Sequence, residues 1–355
     1  MKLLPNITSL RFFLAFLVMI FHIPQFFGNR GLATFNDLPI FNKGSEAVYM
    51  FFSLSGFLII RQLFEEKTIS GRIDLKNFYI RRMLRIFPLY YLVAIIGMVY
   101  YHIILPNMGF DFESNYNLIE GAILLFTFFP NVFAVARPGG ILEMLWSIGV
   151  EEQFYLLVAP LILVVPQKYI KAFLFIFSFL FIGLYFAPAL SFLSKYQMMF
   201  FYFSFTGWCS LLRIKDSKYN SFMCVVSSIL LLIYFTTDIF VNNMSDLQYH
   251  IFGMVLFGVF LIFFTHKPIR FFENKRLIHL GKISYGIYMY HAIVMQPVGF
   301  ILLKIVSKYK LSDPVIIISS FLSVILITIL ISHLSYQYFE KRFLVLKNKY
   351  RTASR

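Results

Sequence analysis

Long apolar runs constrain this chain more than any other feature. Charge is confined to short clusters, and between them lie runs of about 17 to 25 mostly apolar residues, enough helix to cross a hydrocarbon core. In lipid every backbone polar group must be paired within the protein, so such runs read as transmembrane helices. Eleven can be drawn, at 10–27, 45–64, 84–105, 118–135, 146–165, 170–188, 197–213, 221–241, 250–265, 283–306 and 314–338. With 59% hydrophobic residues and a mean hydropathy of +0.75, the chain is too apolar for a soluble domain. The expected class is an all-α integral membrane protein in a lipid bilayer.

Positive charge orients the spans. Loop 65–83 carries Lys67, Arg72, Lys76, Arg81 and Arg82 and reads as cytoplasmic, which places the N-terminus inside. Loop 106–117 has no basic residue and carries Asp111 and Glu113, so it reads as outside. Loops 213–220 and 266–282 are basic and inside, as is the tail from Lys341 to Arg355. Four segments separate the outside loop 106–117 from the inside loop 213–220, yet the side must change, so one of them does not cross. The segment near 118–140 is the exception expected, because it ends in Pro130 and runs into Arg137-Pro138-Gly139-Gly140. It reads as re-entrant or lying on the surface. About ten crossings remain, with both termini cytoplasmic. The expected organisation is a single transmembrane domain over 1–340 and a short basic cytoplasmic tail over 341–355.

Several function classes fall away. The net charge of +15 gathers beside apolar spans, as in cytoplasmic membrane loops, and no basic stretch interleaved with aromatics suggests nucleic acid. The two cysteines, Cys209 and Cys224, fall at or near spans and indicate neither a disulfide framework nor a zinc site. No histidine and carboxylate spacing matches a metal site, so no metal is expected. The first apolar segment is too long, and too charged on one face, for a cleaved signal peptide.

What remains is ionisable chemistry inside spans, which is costly in lipid and functional by default. Arg11 and His22 are eleven residues apart in the first span, about three helical turns, and share a face about 16 Å apart along the axis. An interfacial anchor and a satisfied interior histidine are the plain alternatives. Arg61 ends the second span, and Arg82 and Arg85 lie on one face at the head of the third. For Arg82 and Arg85 two readings stand: snorkelling positive-inside charge, or a fork for a phosphate-rich ligand. For Arg81 the first is preferred. Glu151 and Glu152 sit about two turns into the fifth span, about 100° apart around the helix, so one at most faces a given partner. In this topology they lie at the depth of His22, and a carboxylate that holds a histidine tautomer is a general-base arrangement. Ser284, Tyr288 and His291 form a polar stripe on one face of the tenth segment, with a satisfied core histidine as the equal alternative for His291.

Taken together, these motifs resemble the membrane-bound acyltransferase 3 family. The resemblance is carried by Arg11 with His22, Phe51-Phe52-Ser53-Leu54-Ser55-Gly56-Phe57, the arginines before Ile86-Phe87-Pro88, Trp146-Ser147 through Glu151-Glu152-Gln153-Phe154-Tyr155, and Ser284-Tyr285 through His291. It ends around Tyr336 to Phe343, including Glu340. One departure stands out: many members carry an acid where this chain has Tyr49, although Glu46 is on the same helical side. The resemblance implies transfer of an acyl group, usually acetyl from cytoplasmic acetyl-CoA, to a hydroxyl of a surface or lipid-linked carbohydrate at a bacterial cytoplasmic membrane. It implies essential roles for Arg11 and His22. In this expectation His22 is the general base, oriented by Glu151 or Glu152, with His291 in reserve. Arg82 and Arg85, with Arg61, dock the donor's phosphates, and Ser284 and Tyr288 line the path from the cytoplasmic mouth. The rival expectation is a transporter or flippase that uses the same buried charges as a permeation path.

Overall fold

The computed structural model describes residues 4–110 and 115–350; Asp111, Glu113 and residues 351–355 of the basic tail lie outside the described residues. Regular structure among the described residues is helical throughout. Twelve helices of eight or more residues follow in order: α1 Ile7–Gly28, α2 Gly44–Ser70, α3 Leu75–Val99, α4 Leu118–Phe126, α5 Trp146–Val164, α6 Ile170–Tyr185, α7 Phe200–Ser210, α8 Lys218–Thr236, α9 Asp246–Phe264, α10 Lys275–Lys282, α11 Ser284–Lys308 and α12 Asp313–Ser335. Nine of the described helical stretches are long and apolar enough to span a membrane.

The expected exception is broken as foreseen, and one expected crossing comes out short. The segment near 118–140 breaks into α4 and two further pieces, Pro130–Ala134 and Gly140–Glu143, rather than one spanning helix. The segment 197–213 becomes α7, eleven residues or about 16 Å, well under a hydrocarbon core of about 30 Å. It starts late because the chain turns through Gln197, whose φ of 52° is left-handed and cannot continue a helix.

The described chain divides into two compact units. The first comprises Met1–Arg61, Leu174–Phe179 and Phe201–Ser332. Its register is set at the start of α1. Asn6, left-handed at φ 66° and 2% exposed, donates its side-chain amide to the carbonyls of Phe264 (2.6 Å) and Lys267 (2.8 Å) and accepts from the Ile269 N–H (2.8 Å). Ser9 donates its hydroxyl to the Phe272 carbonyl. Gly281, at the end of α10, lies so close to this turn that a Cβ would sit 1.8 Å from the Thr8 oxygen, so any side chain would force the helices apart. This docking brings α11 alongside α1. In the same unit Gly56 lets α2 touch the backbone of α7 at Phe203, and Thr206 donates to the Ser53 carbonyl (2.7 Å).

The second unit comprises Gln62–Phe173, Leu180–Phe200 and His333–Arg355. Lys67 closes the C-terminal end of α5, its ammonium donating to the carbonyls of Ile162 (2.8 Å), Leu163 (2.7 Å) and Val165 (2.7 Å). A positive charge there meets the last unpaired carbonyls and the negative end of the helix dipole. Asp74 caps α3 by accepting from the Asn77 N–H (3.0 Å). The broken segment is held to α5 by Gln153, which donates to Asn131 (2.8 Å) and to the Phe128 carbonyl (3.0 Å), and to α3 by Tyr90, which donates to the Leu125 carbonyl (2.8 Å). These backbone carbonyls are thus paired with protein, as a membrane interior would require.

Candidate active site

In the first unit α1 and α11 advance side by side from Thr8 and Gly281, and the histidines expected from sequence meet between them. The His22 ring and the His291 ring lie with centroids 5.1 Å apart, and His291 Nε2 is 3.3 Å from His22 Nδ1. His291 is fully buried, and its Nδ1–H donates to the Tyr288 carbonyl (2.7 Å). That bond makes His291 Nε2 the acceptor. His22 Nδ1–H donates to the Val18 carbonyl (2.9 Å) and lies within reach of the His291 lone pair. The hydrogen-bond geometry fits the Nδ1–H tautomer for both rings when they are neutral, and in that form Nε2 is the basic nitrogen of His22. A proton accepted there makes an imidazolium whose Nδ1–H is already flanked by two acceptors. The residue as a whole is half-buried.

Just past the end of α1, Arg30 donates to Gln296 of α11 (3.0 Å) and to the Phe26 carbonyl (3.2 Å), and its guanidinium lies 3.5 Å over the Phe26 ring. Neither Arg30 nor Gln296 figures in the reading of the motifs. Arg30 carried one available signal, a cation on the expected outer side of a span where basic residues are depleted. Arg11 is half-buried on α1, and Tyr288 is buried, its ring edge-on to Phe51 at 6.3 Å. Ser284 is buried, and its hydroxyl donates to the Gly281 carbonyl (2.9 Å). Arg61 is half-buried on α2.

The second unit gathers the charged residues. Arg81, 4% exposed, pairs with Glu66 (3.3 Å) and donates to the Tyr350 carbonyl (2.8 Å), so its charge is committed to holding the chain end. Arg82 is turned differently. Its Nη2 donates to Gln62 (2.8 Å), and its guanidinium lies 5.7 Å from the ring centroids of both Phe78 and Tyr155. It is in electrostatic contact with Arg85, Glu151 and Glu152. Tyr155, one turn after Glu151, donates its hydroxyl to that carboxylate. Glu152 is 7% exposed, and its Oε1 is buried with no hydrogen-bond partner, as is Arg82 Nε. A buried polar atom left unmade costs about 1–3 kcal/mol, more when charged. Arg85 is half-buried and in electrostatic contact with Glu340, which accepts from Ser335 (3.1 Å).

Sequence spacing put the arginines at the cytoplasmic entrance and the two glutamates at the depth of His22. The structure draws Glu151 and Glu152 into one cluster with Arg82, because a long guanidinium arm bridges levels that residue counting separates. Gln62 and Tyr155 complete it. Tyr155 lay within the quoted motif without a role, and Gln62 had no signal beyond its place beside Arg61. Among the described residues no three histidine, cysteine or acidic side chains group as a metal site.

The protein is a helical multi-pass membrane protein with a bonded histidine pair in its first unit and an arginine–glutamate cluster in its second. The chain belongs to the acyltransferase 3 family, whose profile, described as an acyltransferase domain, matches residues 4–333. Among similar proteins, an acetyltransferase candidate of Acidianus two-tailed virus is 29% identical, covering 84% of this chain and 85% of that protein. The peptidoglycan O-acetyltransferase OatA of Listeria monocytogenes is 30% identical over 48% of this chain and 26% of its own length. An O-acetyltransferase candidate of Staphylococcus aureus is 23% identical over 97% of this chain and 58% of its own. The match thus takes in less than two thirds of each of the last two proteins. No solved structure matches the chain.

Proposed function

We propose that this membrane acyltransferase is an O-acetyltransferase that moves acetyl from cytoplasmic acetyl-CoA to a hydroxyl of a cell-surface or lipid-linked carbohydrate, in a bacterial cytoplasmic membrane with both chain termini inside. The observation that supports the chemistry is the pair of bonds at His22 Nδ1, to Val18 and His291, which leaves Nε2 as the nitrogen available to act as a base. His22 Nε2 takes the proton of the acceptor hydroxyl as its oxygen attacks the thioester carbonyl. The carbon–sulfur bond then breaks, and the leaving thiolate recovers the proton from His22, so that an acetyl ester and free thiol result. In this reading Val18 and His291 orient His22 in place of a glutamate. Arg82, Arg85 and Arg61 receive the donor at its cytoplasmic entrance. Arg11, on the His22 face of α1, steers the thioester toward the base, and Ser284 and Tyr288 line the way. The named activity of the Listeria relative supports the acetyl group and the glycan acceptor.

The test is transfer of radiolabel from acetyl-CoA to glycan in inverted membrane vesicles, with the intact protein, His22→Ala and Arg82→Ala. Label incorporated by the intact protein and lost in both variants is the expected result. Lipid-linked sugar crossing the membrane with no label moved from any acyl-CoA would overturn the enzyme reading in favour of a flippase.

A further inference from the structure

Among the described residues, the buried polar atoms without a partner include an acceptor and a donor from one cluster: the Oε1 of Glu152 and the Nε–H of Arg82. Their neighbours are already engaged. Tyr155 occupies Glu151, and Gln62 occupies Arg82 Nη2. The rings of Phe78 and Tyr155 flank the guanidinium, so Nε–H has a set direction. Arg81 Nε is also unpartnered, but that guanidinium is matched by Glu66 and by a backbone carbonyl, so its charge has no task left.

The chemistry of a group that fits the first pair is narrow. A phosphate only accepts hydrogen bonds at neutral pH, so it satisfies Arg82 while meeting repulsion from Glu151 and Glu152. An ammonium only donates, so it satisfies Glu152 while meeting repulsion from Arg82. A neutral group that both donates and accepts satisfies both, as a hydroxyl or a secondary amide does, and of these the secondary amide has its donor and its acceptor on different atoms, one for each side of the pair.

Building on the acyltransferase reading above, we propose that Glu152 and Arg82 form a subsite for a secondary amide of the acyl donor. The amide N–H donates to Glu152 Oε1, and Arg82 Nε–H donates to the amide carbonyl. The donor is thereby recognised by the amide arm that carries the thioester as well as by its charged end. Glu152 is then a specificity residue for the donor, and the phosphates fall to Arg85 and Arg61. No bond is made or broken in this step.

The decisive comparison uses two thioesters that differ at one position. S-acetyl-N-acetylcysteamine carries the amide, and its ester isostere, S-acetyl-2-mercaptoethyl acetate, has oxygen in place of the N–H. Dissociation constants are measured by titration calorimetry with the full chain in lipid nanodiscs, without acceptor, and acetyl transfer is followed separately. The intact protein is expected to favour the amide by at least about tenfold. Glu152→Leu should reduce that preference to within about threefold, and Glu152→Gln, which keeps a carbonyl acceptor, should restore part of it. Equal binding of the two thioesters by the intact protein overturns the subsite, and this holds even where Glu152→Leu fails to fold. So does a Glu152→Gln defect in turnover of equal size for both thioesters, which assigns the carboxylate to the reaction centre. An amide preference in binding with no acetyl transfer from any thioester supports the subsite and rejects the enzyme reading instead.

Discussion

The seam between α1 and α11 and the cluster around Arg82 handle buried polar groups in opposite ways. In the seam the two imidazoles bond to backbone carbonyls of their own helices and to each other. Nothing further is needed to set the tautomers, so the seam is organised before any ligand arrives. The cluster around Arg82 brings a guanidinium and two carboxylates together in a low-dielectric interior and leaves one atom on each side unmade. Charges are matched in sign there but not in hydrogen bonds. The contrast fits the proposed division between a region for proton transfer and one for ligand recognition, since pre-organisation favours the first and unmet bonding capacity favours the second.

The sharpest way to break this contrast is His22→Ala. Loss of the base should lower acetyl transfer by at least about 10³-fold, while the thermal melting of the purified protein stays near that of the parent. Next in size is Arg82→Ala, expected to weaken donor binding about 30- to 100-fold, with a smaller change in rate at saturating donor, as measured by titration with acetyl-CoA and by initial rates. A rate loss as deep as that of His22→Ala, with donor affinity intact, would move Arg82 into the reaction centre. His291→Ala should cost about tenfold in kcat with little change in KM, because Val18 still holds the His22 ring; a KM effect alone would reassign His291 to binding.

Two smaller effects test the scaffold under each region. Lys67→Met leaves the carbonyl end of α5 uncapped and should lower stability by about 2 kcal/mol, read as a fall of a few degrees in melting temperature. At the other extreme is Asp216, on the loop between α7 and α8. Hydrogen bonds from Lys267 first and His266 second hold its carboxyl below the usual carboxylate range. A depressed carboxyl of this kind contributes above its unfolded value and loses that contribution as pH falls through the folded one. The group is fully exposed and screened, so Asp216→Asn should leave the melting temperature at neutral pH within about 1 °C of the parent.

Much of this contrast was legible beforehand, and the reasons are local. His22, His291, Arg82 and Glu152 each drew attention because an ionisable group in an apolar run needs an explanation wherever its partner is. The break near 118–140 could be read because Pro130 and Pro138-Gly139-Gly140 act on their own backbone. The short α7 was missed because its apolar run is long enough, while the left-handed turn at Gln197 delays its start and the helix ends at Ser210. Arg30 and Gln296 were missed because neither is anomalous enough alone. Their meaning lies in the bond between them, across two helices 266 residues apart in sequence.

By itself the sequence determined that the chain lives in a membrane as a helical bundle, since each span must satisfy its own backbone and that requirement is written in consecutive residues. It also determined which side chains are out of place there. Only the tertiary structure decided the partners within each unit: His291 beside His22, Glu66 and the Tyr350 carbonyl for Arg81, and Glu151 and Glu152 drawn to Arg82. Partner choice depends on which helices pack and at what height. Contacts such as Gly281 against Thr8 set that height, and no periodicity along one strip of chain encodes it.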